Sequence, residues 1–454
     1  MPKISARGLA LRVLIDFEQD GAYANLALNK ILEKYRPGKL DRAFATELSY
    51  GALRSLNTLD WVLSQFVSQP LDRQPLAVRN ILRLGVYQLM FMDRVPPAAA
   101  CNEAAELARQ YGHQGVVRFV NGVLRNVARR LGDIQYPALE EDPVEHIALK
   151  YSHPVWLVKR WLEEFGLEDT IAICRADNKP APNTIRTNTL KINRDNLADR
   201  LAREGLSVVK TGLAPEGLYL DGFLSFGSLD SFREGLFQVQ DESSMLAGRA
   251  LMPPPGSFVI DACGAPGGKT THLAQLMGNR GRILAFDIYP HKLDLIKENC
   301  ARLGVGMVEA VFGDARELPA ELHGRADFVL VDAPCSGLGV LRRRPDARWR
   351  KDPGEIPAVV QLQSQILESA SRCVKDGGVL LYSTCSITHE ENLGQVEDFL
   401  NRHPEFGLEG LGATLPGELD NNGTLRQGYV QLYPGNHGMD GFFIARMRKK
   451  DRVK

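Results

Sequence analysis

Between Ser5 and Leu131 the apolar residues return at helical spacing. Leu9, Val13, Leu14 and Phe17 form one stripe, and Val78, Ile81, Leu82, Val86 and Leu89 form another, the pattern of helices that bury one face. This stretch reads as an all-α bundle. The period is lost at "LGDIQYPALEEDP", Leu131 to Pro143, where glycine, prolines and acids mix as in a connector. From about Ile147 to Leu236 the pattern is mixed. A helix at "VWLVKRWLEEFG" precedes strand-like "NTIRTNTLK" (Asn183 to Lys191), a helix from Asn196 and short strands "SVVKT" and "GLYLDG". Together they predict a small α+β domain. From Phe237 onward, strand-like "FVIDA", "RILAFD", "VEAVFGD", "FVLVDAP" and "GVLLYST" alternate with helical segments, which predicts a parallel sheet with helices on both faces. The expected domains are therefore residues 1–140, 141–236 and 237–450.

Composition narrows this picture modestly. A chain of 454 residues exceeds one ordinary core. With 55 Lys plus Arg against 55 Asp plus Glu, no global charge advertises a polyanionic partner, so any such partner must be met locally. The first 140 residues carry 18 basic against 13 acidic side chains, a weak local excess. Seven cysteines without paired spacing suggest reduced thiols in a cytoplasmic protein. The opening "MPKISARGLALRVLIDFEQD" has no uninterrupted apolar core, so neither a signal peptide nor a membrane span is expected.

The stretch "VIDACGAPGGKTTHLAQ" (Val259 to Gln275) comes close to a triphosphate-binding loop: Gly268, Lys269 and Thr270 fall in register, but Cys263 takes the place of the first glycine. In a doubly wound sheet, ligands bind beyond the carboxyl ends of the strands. Asp261, Asp287, Asp314, Asp332 and Cys385 sit at those ends. Asp287 follows Gly268 by 19 residues, the spacing at which a dinucleotide fold places the acid for the ribose hydroxyls. A triphosphate site has no need of such an acid. Glycines 264, 267 and 268 allow close backbone approach, and the next helix offers free N–H groups. S-adenosylmethionine fits this set, with Asp314 placed for the adenine amino group.

Two cysteine loops follow adjacent strands, "DAPCSG" (Asp332 to Gly337) and "STCS" (Ser383 to Ser386). Cys101, Cys174, Cys300 and Cys373 read as buried hydrophobes. Neither loop has metal-binding spacing and no histidines cluster nearby, so no metal is expected. Beside a methyl donor, a thiol can add to C6 of cytosine and make C5 nucleophilic, while an acid relieves charge near N3. A P-loop ATPase and a non-catalytic RNA-binding module stay open as rivals. The first leaves Asp287 and Cys385 without a role; the second needs no thiol at Cys385.

Asp261 to Thr270, Asp332 to Gly337 and Ser383 to Ser386 resemble three signature motifs of the RNA cytosine-5 methyltransferases of the Nop2/Sun type. "FQVQDESSMLAG" (Phe237 to Gly248) and "DGFFIARMRK" (Asp440 to Lys449) resemble that family's leading segment and last strand. The resemblance implies a Rossmann-like class I methyltransferase domain. It also implies Cys385 as nucleophile, Cys335 in product release and Asp332 at N3 of the base. The cofactor would be held by Cys263, Gly264, Ala265, Pro266, Gly267, Gly268, Lys269, Asp287, Asp314 and Asp332. Gly264 stands where alanine is common, a change expected to matter little. "DRAFATELSYGALRSLNTLDWVL" and "ILRLGVYQLMFMDRVPPAAACNEAAELAR" resemble the RNA-binding helical domain of NusB. A NusB-like domain joined to a Sun-type catalytic domain is the arrangement of bacterial enzymes that methylate a cytosine of 16S ribosomal RNA, which implies that RNA as partner. A monomer is expected.

Basic residues supply candidate RNA contacts. "LRRRPDARWRK" (Leu341 to Lys351) carries Arg342, Arg343, Arg344, Arg348 and Trp349 directly after the Pro-Cys loop, and arginines beside an aromatic suit single-stranded RNA. Arg186 and Asn188 in "TIRTNT" are expected to line the same path.

Overall fold

The computed structural model describes residues 4–223 and 225–451. Residues 1–3, which open the first expected domain, lie outside the described residues. The chain separates into two compact units, Met1–Pro180 with Leu341–Pro353, and Ala181–Val340 with Gly354–Lys454.

The first unit is helical. Its segments include Ala6–Asp20, Lys39–Arg54, Leu76–Phe91, Pro97–Arg109 and Gln114–Arg130. The helix Ala6–Asp20 starts where the Ser5 side chain accepts from the Gly8 N–H and stops at Gly21 in the left-handed region, a common pairing of N-cap and C-cap. Leu9, Val13 and Leu14 are buried, as are Val78, Ile81, Leu82 and Val86. Each such side chain contributes about 2 kcal/mol by leaving water. Farther along, Val155–Asp177 changes direction at Gly166, whose φ of 76° and ψ of −177° interrupt the helix.

The second unit holds two sheets. β1 (Asn183–Thr187), β2 (Ser207–Lys210), β3 (Gly217–Asp221) and β4 (Phe237–Val239) form a four-stranded antiparallel sheet in the order β2-β3-β1-β4. β4 joins this small sheet although its residues open the third expected domain.

The larger sheet contains β5 (Phe258–Asp261), β6 (Arg282–Asp287), β7 (Val308–Phe312), β8 (Ala326–Asp332), β9 (Val374–Thr384), β10 (Phe406–Leu408), β11 (Tyr429–Leu432) and β12 (Phe442–Lys449). Its order is β10-β12-β9-β8-β5-β6-β7, with β11 paired to β12. β5 to β9 are parallel to one another, whereas β10, β11 and β9 each pair antiparallel with β12. The expected parallel sheet is thus corrected to a mixed one. The fold is nevertheless doubly wound, because the chain runs outward to β7 and then returns to β8 beside β5. Neighbouring residues of one strand serve opposite faces: Val259 packs toward Leu246, Leu273 and Ile296, and Ile260 toward Ile366, Leu367 and Phe399. The order reverses between β5 and β8, so a crevice is expected beyond the ends of these two strands.

Candidate active site

Four carboxylates end strands or follow them closely on this side of the sheet. Asp261 is buried at the end of β5, with one oxygen accepting from the Thr270 hydroxyl at 2.7 Å. Burial, helped by the nearby Asp332 charge, lifts its carboxyl to about 7. Asp287 ends β6 and accepts the Tyr289 N–H at 2.9 Å. Asp314 follows β7 and is held below the ordinary carboxylate range by Arg316, whose Nε lies 3.0 and 2.9 Å from its two oxygens. To accept an adenine amino group it must share that carboxylate with Arg316. All four acids bear on one thiol: burial and the charges of Asp261, Asp332, Asp287 and Asp314 push Cys263 well above the usual thiol range. Cys263 is therefore a protonated part of the loop wall.

The glycine loop is built for close approach. Gly267 has φ of 100°, and a Cβ there would lie 3.3 Å from the Ile296 Cα. At Gly264 an added Cβ would sit 3.0 Å from the Ala285 Cβ and 3.1 Å from the Thr270 hydroxyl. Alanine at 264 would require those neighbours to give by a few tenths of an ångström, so that position matters more than expected. The backbone cradle at 264 and 267 and the carboxylate of Asp287 fit a ribose-bearing ligand without phosphates. Lys269 does not stand ready for a phosphate. Its ammonium lies 2.7 Å from Asp332 Oδ2 and 5.0 Å from the centre of the Phe442 ring, and the Ser383 hydroxyl donates to Asp332 Oδ1 at 2.9 Å.

Beyond β8 and β9 the two cysteine loops meet. The sulfurs of Cys335 and Cys385 are 3.2 Å apart and are not joined in a disulfide. Contact with Cys385, followed by burial, pushes the Cys335 thiol well above its usual range. Backbone bonds fix the meeting point: Gly339 N–H donates to the Cys385 carbonyl at 3.0 Å, Ala333 N–H to the Ser383 carbonyl at 2.9 Å, and Gly441 N–H to the Gly339 carbonyl at 2.8 Å. A Cβ at Gly339 would strike the Gly441 carbonyl oxygen at 2.3 Å, which explains glycine there.

Comparisons with known proteins bear on the family of the chain. A family model described as 16S rRNA methyltransferase RsmB/F matches residues 249–448, one of the NusB family matches 4–129, and one of the RsmF/B-like ferredoxin-like domain matches 153–226. The chain is 40% identical over 452 residues to a probable ribosomal RNA small subunit methyltransferase B of Bacillus subtilis, covering 99% of this chain and 100% of that one. The chain belongs to the ribosomal RNA small subunit methyltransferase B family. A second member, from Shewanella oneidensis, is 33% identical and covers 98% and 99% of the two chains. Among solved structures, PH0851 is similar with a TM-score of 0.81 and 31% identity, over 98% of this chain and 99% of that one. NSun6 from Pyrococcus horikoshii with SFG is similar with a TM-score of 0.59 and 29% identity, over 65% and 98%. The architecture is accordingly a NusB-like helical domain, a ferredoxin-like small domain and a Rossmann-like methyltransferase domain.

The expected RNA contacts fare unevenly in this member of the family. Arg186 is buried and spends its donors on Gln240, Gln275 at 3.2 Å, the Gly268 carbonyl at 2.6 Å and Thr271 at 3.0 Å. It braces the start of the helix that carries Lys269. Asn188, also buried, donates to the Gly235 and Leu303 carbonyls, both at 2.8 Å. In the first unit Arg348 is fully buried, donating to Ser152, Asn178 and Asp177 at 2.9, 3.0 and 3.2 Å. The half-buried Trp349 donates its indole N–H to the Leu53 carbonyl at 2.6 Å, and Arg342 is buried. The expectation of RNA contact is corrected for Arg186, Asn188, Arg342 and Arg348, because enclosed side chains present no face to a polynucleotide. Arg343 is half-buried and Arg344 is exposed.

Sequence reasoning missed Glu391. This buried side chain accepts from the Ser336 N–H at 2.7 Å, the Ser386 hydroxyl at 2.6 Å and the Thr388 hydroxyl at 2.9 Å, as well as from the Ser336 hydroxyl. Gln363 donates to it at 3.1 Å and to the Pro334 carbonyl at 2.9 Å. The signal in the sequence was a carboxylate five residues beyond Ser386, at the start of an amphipathic helix, where it reads as an ordinary helix-start acid. Among the described residues no group of three or more histidines, cysteines and acids could hold a metal ion. None of the described helices is long and apolar enough to cross a membrane.

Proposed function

We propose that this chain methylates C5 of a specific cytosine in 16S ribosomal RNA, through a bond between the Cys385 sulfur and C6 of the base. Family membership supports S-adenosylmethionine-dependent methylation of small-subunit ribosomal RNA as the reaction class. The observation that carries the finer reading is the 3.2 Å meeting of the Cys335 and Cys385 sulfurs beside the Lys269–Asp332 pair.

The cofactor, S-adenosylmethionine, supplies the methyl group. Cys263 to Lys269 would hold it by backbone approach, Asp287 by accepting from the ribose hydroxyls and Asp314 by accepting from the base. The related structure described with SFG, an S-adenosylmethionine analogue, supports that choice.

The chain's own residues then act in order. Cys385, as thiolate, adds to C6, and the ring electrons move toward N3. Asp332 meets the base there, and the ammonium of Lys269 beside it provides the proton that N3 gains. C5 becomes enamine-like and takes the methyl group. Return of the N3 proton to Lys269 and loss of the C5 proton to a base re-form the ring and its C5–C6 double bond and expel the Cys385 sulfur, a step that Cys335 assists. The target base must leave its stack to reach Cys385. Arg344 contributes to holding the RNA electrostatically, together with the NusB-like domain.

Bisulfite mapping of 16S ribosomal RNA from a strain lacking the protein tests this reading. One protected cytosine should become convertible, with protection restored by the wild-type gene and not by Cys385→Ala. An unchanged map would contradict the proposal.

A further inference from the structure

The two cysteine loops come from different strands and have little secondary structure of their own, yet their sulfurs meet at 3.2 Å. Something must hold that register. The residues on either side of Cys335 are fixed, Pro334 through its carbonyl to Gln363 and Ser336 through its N–H and hydroxyl to Glu391. The residues on either side of Cys385 are fixed too. Ser386 donates its hydroxyl to Glu391 at 2.6 Å, and the Thr384 hydroxyl donates to Asn392 at 2.5 Å. Asn392 in turn donates to the Ser386 carbonyl at 3.0 Å. The loops also meet directly through the Ser336 and Ser386 hydroxyls at 3.0 Å and through the backbone bonds Gly339–Cys385 and Ala333–Ser383; Glu391 gathers both hydroxyls on one carboxylate, and Tyr382 anchors its backbone by donating to the Glu391 carbonyl at 2.7 Å.

We propose that Glu391 is the positioning residue that keeps the Cys335 and Cys385 thiols in contact, so that ring addition and product release share one geometry. This rests on the cytosine-adduct reading above. A buried carboxylate is expensive unless its lone pairs are filled. Here they are filled by three hydroxyls, one backbone N–H and one amide, drawn from both loops and from the helix Ile356–Cys373 that bears Gln363. Charge-assisted bonds of this kind are about twice as strong as neutral ones. If either loop withdraws, the carboxylate loses donors it cannot replace, so both loops are held in place together. The negative charge has a second effect, since Glu391 adds to the upward push on the Cys335 thiol. That charge opposes ionisation of Cys335. Glu391 touches neither substrate nor cofactor in this account and acts only through the cysteines.

The test is Glu391→Gln in the full-length protein. The kcat for methyl transfer should fall about 100-fold, the scale of a misplacement of roughly 1 Å, while affinity for S-adenosylmethionine stays within about two-fold. Iodoacetamide labelling at fixed pH, read by mass spectrometry, supplies the second measurement and needs no RNA. In the wild type Cys385 should react faster than Cys335, and the ratio should shrink at least three-fold in the variant. Unchanged kcat, an unchanged labelling ratio, or a loss of cofactor affinity matching the loss of kcat would each overturn the proposal. Should Glu391→Gln not fold, Ser336→Ala decides: it removes one hydroxyl donor and should lower kcat about ten-fold, and wild-type kcat there overturns the proposal. Failure of the adduct reading is separately visible, because Cys385→Ala would then keep methyl transfer while the labelling ratio still reports on Glu391.

Discussion

The Lys269 ammonium lies 2.7 Å from the Asp332 carboxylate, so the helix that follows the glycine loop and the motif that ends β8 share one ion pair. A triphosphate-binding lysine would be turned toward its loop. Here the lysine pairs with the aspartate that ends β8 instead. Lys269→Met should lower single-turnover methyl transfer about 100-fold, the scale of a lost proton donor, and should change S-adenosylmethionine affinity far less. Equal loss in both would reassign Lys269 to cofactor binding.

Asp287 is the second discriminating residue. Hydrogen bonds to a charged acceptor contribute about 2 kcal/mol. Asp287→Ala should therefore weaken S-adenosylmethionine binding roughly 30-fold. Calorimetry that finds the wild-type affinity would remove Asp287 from the cofactor site.

The basic run separates into a structural and a solvent-facing part. Arg348 is fully buried and bonded to three residues of the region 152–178. Removing one partner from a buried charged network costs about 3 kcal/mol or more. Arg348→Ala should lower the denaturant midpoint clearly. Arg344 is exposed, and Arg344→Ala should leave stability within about 0.5 kcal/mol while reducing the salt dependence of RNA binding by about one counterion. The opposite pattern in paired melts and titrations would refute this division.

Stability should also depend on His272. Burial holds this imidazole down to about 4, with the positive charge of Arg186 adding to the shift while Glu216, 2.6 Å away, opposes it. The unfolded chain binds the proton more readily, so unfolding takes up a proton between about pH 6.5 and 4. The contribution is complete above 6.5 and lost as the pH falls through that window. His272→Gln should flatten that part of the stability curve. A curve parallel to wild type across the window would show that His272 is not its source.

How much of this was legible in the sequence depends on whether the cause was local. β5, β6 and β8 were readable because each is a short, largely apolar run ended by an aspartate, Asp261, Asp287 and Asp332. β10 and β11 were not. "FGL" and "YVQL" are too short to show a period, and β12 supplies the antiparallel partner that makes them strands. Cys335 and Cys385 announced themselves by their small, turn-forming neighbours. Glu391 did not, since its partners Ser336 and Gln363 lie 55 and 28 residues away. Arg186 and Arg348 were misread for a related reason. Both carry a charge that sequence patterning assigns to the surface, and only the carbonyls and amides gathered around them in the folded chain make their burial tolerable.

Trapping experiments test most directly the proposed bond between Cys385 and the RNA. Cys335→Ala should complete addition and methyl transfer and then stall, accumulating enzyme joined to methylated RNA through Cys385. The product would be a slow band on denaturing electrophoresis that ribonuclease removes. Cys385→Ala and the double variant should give no such band and no methyl transfer. A trapped band in Cys385→Ala, with Cys335→Ala merely inactive, would exchange the two roles and contradict the assignment of Cys385 as nucleophile.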